Sequence, residues 1–348
     1  MNFVIHKIWL MKDGDIMDIV VQKYGGSSIK DKDAMEYILK RTKKYLQDDF
    51  KLVIVVSAQG KTTDSLINIS KEYSNTQDKK ALDLLLATGE MCSAALLSLM
   101  LNDNNIKSIA LTGWQAGIIT DSNHGEAKIQ NIYKEHILNK LKDYSVVIVT
   151  GFQGIDKLGN ITTLGRGGSD LSATAIASVL DAKLCEIYSD IDGILSCDPK
   201  IISDAKLLKD ISYDEMIEAA SCGAKVMHNR SVLVAKEYNT KVEVKNSRNL
   251  DTNSKGSYIM NIENKDIIEN NEIKIISKKD NLSKITLVGQ MMMSNISITK
   301  EIYDIARELN TQIFMISFSE LSLSIIVDTD ISNEFLKLLH KKLIVEPK

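Results

Sequence analysis

The hexapeptide GRGGSD, Gly165 to Asp170, sets an arginine, two glycines, a serine and an aspartate ahead of the small-residue run LSATAIASVL. Arginine suits two-pronged capture of a carboxylate or phosphate. Glycines that open a helix suit an anion, because they leave backbone N–H groups bare. Asp170 could also be a plain helix N-cap, the commoner use of aspartate at such a place. KYGGSS, Lys23 to Ser28, follows the apolar run DIVVQK with a lysine, a glycine pair and two hydroxyls, a natural setting for a phosphate. A tight strand-to-helix turn accounts for the glycine pair as well. Glu90 interrupts the apolar stretch LDLLLATGEMCSAALLSLML. A carboxylate there is costly to bury without a partner, unless it faces solvent at a helix edge. SAQGKTTD, Ser57 to Asp64, contains Gly60-Lys61-Thr62 but has Val55 where a P-loop requires glycine. SDIDGILSCDPK, Ser189 to Lys200, groups Asp190, Asp192 and Asp198 around Gly193 without the spacing of a calcium-binding EF-hand.

Each glycine cluster stands where a predicted strand ends. Apolar runs over 18–23, 51–57, 145–151, 182–189 and 238–246 read as strands, with IKSIALT another. Between them, KDAMEYILKRTKKYL, residues 82–101, the amphipathic GEAKIQNIYKEHILNKL and residues 171–180 read as helices. Strands alternating with helices predict an α/β fold, a mostly parallel sheet sandwiched by helices. Residues 1–17 form an N-terminal extension and 18–250 the first domain. The polar, turn-rich 251–270 reads as a linker. Residues 271–348 then run strand–helix–strand–strand–helix, the pattern of a small ferredoxin-like α+β domain.

Bulk properties narrow the function. In 348 residues, 44% apolar and 26% charged, 43 basic side chains face 46 acidic ones, for a net charge of −3. No basic field speaks for nucleic acid. The longest apolar run, Cys92 to Leu101, is about half of what a membrane-spanning helix needs. The start, MNFVIHKIWLMKDGD, does not suit a secretory signal. Four dispersed cysteines without a CxxC pair, and five histidines without HExxH, predict neither disulfides nor a zinc site and fit a reducing cytoplasm.

Taken in order, VVQKYGGSS, VVSAQGKTTD, LLATGE, VIVTGFQG, TTLGRGGSD, SDIDGI with DPK, and GAKVMHNRS resemble the amino-acid kinase family and, within it, the aspartate kinases. The resemblance implies the amino-acid kinase fold and ATP-dependent phosphorylation of the L-aspartate β-carboxylate to 4-phospho-L-aspartate. That reaction enters lysine, threonine and methionine synthesis, with magnesium carried on the ATP. Residue by residue, it implies that Lys23, Tyr24, Gly25 and Gly26 meet the ATP phosphates. Ser57, Thr63, Glu90, Arg166, Gly167, Gly168 and Ser169 fall to aspartate, and Asp170 to organising the catalytic Lys23. Ser189, Asp190, Leu195, Lys200, Lys225 and Val226 would line the nucleotide pocket. Leu195 and Lys200 stand where the family usually has tyrosine and arginine. The small domain resembles one ACT domain, where aspartate kinases usually carry two. Ile296-Ser297 replace its usual Pro-Gly, just after Met291, Met292 and Met293. Such domains imply an amino-acid effector, lysine or threonine, and pairing of subunits into a homodimer or higher homo-oligomer. The competing readings are a related amino-acid kinase and a non-catalytic amino-acid sensor that keeps the fold.

Overall fold

The computed structural model describes residues 18–76, 78–223, 226–250, 256–262, 273–290 and 296–346. It divides into two compact units, Met1–Ser277 and Lys278–Lys348. The first half of the large unit runs β1 (Ile19–Tyr24), α1 (Lys32–Gln47), β2 (Lys51–Val56), α2 (Thr62–Tyr73), α3 (Lys79–Asp103), β3 (Ser108–Leu111), β4 (Ile118–Thr120), β5 (Ile129–Ile132) and α4 (Glu135–Asp143). Its second half runs β6 (Val146–Thr150), β7 (Gln153–Ile155), β8 (Ile161–Thr163), α5 (Gly168–Val179), β9 (Leu184–Ser189), β10 (Asp210–Ser212), α6 (Tyr213–Ser221), α7 (Asn229–Tyr238), β11 (Val242–Asn246) and β12 (Ser257–Met260).

Among the described residues the main sheet has eight strands in the order β10-β12-β11-β9-β1-β2-β6-β3. Every pairing in it is parallel except β11 with β12. Continuous apolar runs such as KLVIVV form central strands because both faces are covered. Alternate residues feed two cores. Val21, Val53, Val55, Val147 and Val149 pack with Ala173, Ile176, Val232 and Ile137 on the side of α4, α5 and α7. Val20, Leu52, Ile54, Val146 and Ile148 pack with Met35, Ile38, Leu97 and Leu101 of α1 and α3 on the other. A second sheet, ordered β5-β4-β7-β8, carries the loops that lead to Arg166.

The small unit has β13 (Leu282–Val288), α8 (Ile296–Glu308), β14 (Met315–Phe318), β15 (Ser322–Asp328) and α9 (Thr329–His340). Its antiparallel sheet, β13-β15-β14, closes on a core of Ile285, Ile302, Ile305, Leu323, Ile325, Val327 and Phe335. Residues 1–17 and Met291 to Met293 lie outside the described residues.

Four expectations give way. The 251–270 stretch, read as a linker, contains β12: Ile259 is fully buried, and Ser257 Oγ accepts from Ile194 N at 2.7 Å. Polar composition hid the strand because Ser257 spends its hydroxyl on buried backbone. The unit boundary also falls later than residue 271, after Ser277, since Ile276 N donates to Ser196 O at 2.9 Å and Lys274 pairs with Glu215 at 2.8 Å. The amphipathic stretch 125–141, expected as one helix, splits into β5 and α4, because Ile129–Ile132 pairs with β4. Finally, α3 is long and apolar enough by length and composition to cross a membrane, unlike the short run read from the sequence. Half of its apolar window is buried inside the protein, and it buries Asp83 and Glu90, which marks a core helix.

Ile259→Ala is expected to lower stability by about 2–5 kcal/mol, measured by urea unfolding. A position in a solvated linker would change it by less than about 0.5 kcal/mol.

Candidate active site

β1 lies mid-sheet between β2 and β9, with Lys23 opposite Val55 and Ile187. Strand alternation sends Val21 and Lys23 to the α5 side and Tyr24 to the α1 side. Lys23 Nζ stands 2.6 Å from Asp170 Oδ1, with the two side chains 13% and 12% exposed. Asp170 is not the N-cap of α5. Gly167 is, in the left-handed region at φ +69°, which places Asp170 in the first turn. There the helix dipole favours its negative charge. A Cβ on Gly167 would collide with the His228 side chain, so both conformation and space demand glycine.

A cleft of about 580 Å³ opens beside this pair. It brings together Lys23, Gly25, Gly26, Ser57, Thr63 and Glu90 with the whole Arg166–Asp170 run. Gly26 has a packing reason of its own. A Cβ there would lie 2.8 Å from Ala58 O and 2.9 Å from Gly60 O, because the loops after β1 and β2 touch.

Three buried carboxylates line the cleft, and each is treated differently. Asp170 is paired with Lys23. Asp83 is saturated: it accepts from the Thr163 hydroxyl, twice from Gly125 N at 3.1 Å, and lies 2.7 Å from His124 Nδ1. Glu90, 3% exposed, accepts from Ala58 N at 3.0 Å through Oε1, while its buried Oε2 has no partner among the described residues. Burial pushes its carboxyl up to about 7, against the partly offsetting Ala58 hydrogen bond. Arg166 is exposed to the cleft and makes no hydrogen bond or ion pair with any described residue. Asp83, Gly125 and Thr163 are cleft residues that sequence reasoning missed. The available signal was the position of Asp83 two helical turns before Glu90, on the same face.

Other expected residues stand apart from this cleft. Tyr24 does not reach a phosphate with its side chain. Its ring is fully buried and stacked on Tyr188 at 4.7 Å, and its hydroxyl donates to Gln22 Oε1 at 3.0 Å and accepts from Arg41 at 3.3 Å. Burial pushes that hydroxyl up to about 12. It belongs to a polar cluster on the α1 face centred on Glu186, which accepts from Gln22, Tyr45, Tyr188 and Lys245. Arg41 extends this cluster to the carbonyls of Ser247 and Asn249 at 2.9 and 2.7 Å. Ser189 ends β9 and Asp190 follows it, next to the Lys23 end of β1, and Ser189 Oγ accepts from Ile191 N at 3.3 Å. Leu195 bridges Leu207 through its backbone, Lys200 is exposed, and Val226 packs against the α5-side core. Lys225 lies outside the described residues.

A model of the amino acid kinase family matches residues 18–246. The chain belongs to the amino acid kinase family. A model of the ACT domain matches residues 285–343 of the small unit. The aspartokinase of Geobacillus stearothermophilus is 42% identical over 273 residues, covering 78% of this chain and 66% of that one. The chain therefore spans about two thirds of the length of such relatives; Bacillus subtilis aspartokinase 2, at 39% identity, gives the same 66%. The crystal structure of E. coli aspartokinase III in complex with aspartate and ADP shares the fold, with a TM-score of 0.70 and 24% identity over 90% of this chain and 79% of that one.

Glu90 gives this amino acid kinase site a pH signature. The folded protein holds its proton to higher pH than the unfolded chain, whose carboxyl titrates near 4.5. Stability is therefore lost as pH rises from about 4.5 through 7. Glu90→Gln should gain on the wild type over that window, by up to about 3 kcal/mol above pH 7. Urea unfolding of both proteins at pH 5 and pH 8, without amino acid, checks this; the same difference at both values would contradict it.

Proposed function

We propose that the chain transfers the γ-phosphoryl group of ATP to the β-carboxylate of L-aspartate, giving 4-phospho-L-aspartate and ADP, the first step towards lysine, threonine and methionine. The observation that carries this reading is a buried Glu90 oxygen and an Arg166 guanidinium in one cleft, neither with a partner among the described residues. An α-amino acid needs one anionic and one cationic contact. Asp83 and Asp170 are already engaged, so the ammonium falls to Glu90 and the α-carboxylate to Arg166. Ser57, Thr63, Gly168 and the N–H groups at Gly167 and Ser169 surround the rest of the substrate. The relatives named aspartokinase and the aspartate and ADP held by E. coli aspartokinase III support the same substrates.

The chemistry asks little of the protein beyond placement. The β-carboxylate is ionised at pH 7, so no general base is needed. One of its oxygens bonds to the γ-phosphorus as the bond to the β-phosphate bridging oxygen breaks, and ADP leaves with that electron pair. Lys23, held by Asp170, and the backbone N–H groups of Gly25 and Gly26 meet the charge that shifts across the phosphates. Magnesium bound to ATP would neutralise phosphate charge. Ser189, Asp190, Leu195, Lys200, Lys225 and Val226 take the nucleotide beyond the phosphates. The ACT unit pairs subunits. Ile296, 83% exposed at the start of α8, replaces the Pro-Gly turn of effector loops with a β-branched side chain, which weakens effector binding.

ADP release with aspartate, with glutamate and with neither tests the reaction; release independent of aspartate would refute it. Lys23→Ala should cut kcat about 100-fold or more, with a smaller change in the KM for aspartate. Arg166→Lys keeps the charge but loses the fork, so it should raise the KM for aspartate and leave that for ATP largely unchanged. Millimolar lysine and threonine, alone and together, should inhibit weakly or not at all; cooperative inhibition at low concentration would restore a working effector site.

A further inference from the structure

Among the described residues Arg166 has no side-chain partner, so its backbone aims it. The turn that carries it has left-handed glycines on either side, Gly165 at φ +77° and Gly167 at φ +69°. It is closed by Gly168 N donating to Gly165 O at 3.0 Å. Nothing within so glycine-rich a turn makes it rigid. Its rigidity has to come from its foundations.

Two devices, the buried Asp83 and the half-buried Arg230, grip those foundations from different elements. Asp83, on α3, accepts the Thr163 hydroxyl just before the turn and Gly125 N in the facing loop. The facing loop presses on the turn itself, since a Cβ on Gly165 would lie 3.1 Å from Gly125 O. Arg230, on α7, spreads its guanidinium over the same two strands of chain. Nη1 donates to Leu164 O at 2.6 Å and Nη2 to Ala127 O at 2.8 Å. Between the two grips Ala127 N donates to Thr163 O at 2.9 Å. Two residues before Arg230, His228 covers Gly167 on the far side of the turn.

We propose that Asp83 and Arg230 are positioning residues, which hold segments 125–127 and 163–165 together and thereby fix the direction of the Arg166 guanidinium towards the amino-acid substrate. This rests on the aspartate kinase reading for the identity of that substrate, but the grip on the turn is a property of the fold. The two residues act on one site by different chemistry. Asp83 is an acceptor saturated by four donor contacts, and Arg230 is a donor satisfied by two carbonyls. Loss of either should loosen the same turn without touching the nucleotide end of the cleft.

The test uses the full chain with Asp83→Asn, Thr163→Val and Arg230→Lys. Thr163→Val removes one donor to Asp83, and Arg230→Lys keeps the charge but cannot hold two carbonyls at once. Hydrogen exchange at the amides of Leu164 and Gly168 is read alongside steady-state kinetics. Faster exchange at these amides, with the KM for aspartate raised about tenfold or more and that for ATP within about twofold, is expected. Should Asp83→Asn not fold, the other two variants decide. Folded variants with wild-type exchange at Leu164 and Gly168, or with both KM values raised alike, overturn the proposal. A wild-type protein that releases no aspartate-dependent ADP overturns the substrate reading instead, and the exchange rates still decide the grip.

Discussion

The contact between Lys23 and Asp170 is the hinge of the molecule's chemistry. Two opposite charges, each mostly withdrawn from water, are stable only if the geometry is tight, because desolvation otherwise outweighs their attraction. That demand reaches outward. The lysine has to sit on the most enclosed strand of the sheet, with β2 and β9 on either side. The aspartate has to sit in the first turn of α5, which requires the sharp left-handed entry at Gly167 and the packing of His228 over it. The small residues of α5 let it lie close against the sheet and bring the two charges within contact.

The same helix, α3, carries two carboxylates that the fold treats in opposite ways. Asp83 is given every donor it can accept, and Glu90 is left with one oxygen bare. A saturated anion is a structural bolt. A buried and half-satisfied one is a standing cost, held in place by the rest of the core and relieved when a cationic group arrives. Strain of this kind is typical of sites arranged for a ligand rather than for stability.

Much of this was legible in the sequence where chemistry and chain order coincide. KYGGSS, LLATGE and GRGGSD each sit at an element end, and Lys23, Glu90, Arg166 and Asp170 meet in one cleft. What was not legible depends on partners remote in sequence. Tyr24 follows Lys23 in the chain, yet alternation turns it towards Tyr188 and Arg41, which no local pattern announces. Asp83 reads as one more helix polar residue until Thr163 and Gly125 fold over it. β12 was masked by its polar surroundings, since the sheet and not propensity makes it a strand. β5 was masked by helical periodicity that continues into α4.

The alternation along β1 has an evolutionary consequence. One face of the strand delivers an ion pair to the cleft, and the other, through Gln22 and Tyr24, feeds the polar cluster around Glu186 that ties α1 to the carbonyls beyond β11. A deletion or insertion of a single residue within the strand would exchange the two faces at once. Lysine would enter the tyrosine layer and an aromatic ring would enter the cleft. Lineages of this fold can lengthen or trim loops and whole appended units, but the spacing from Gln22 to Tyr24 is a frame that no indel can cross.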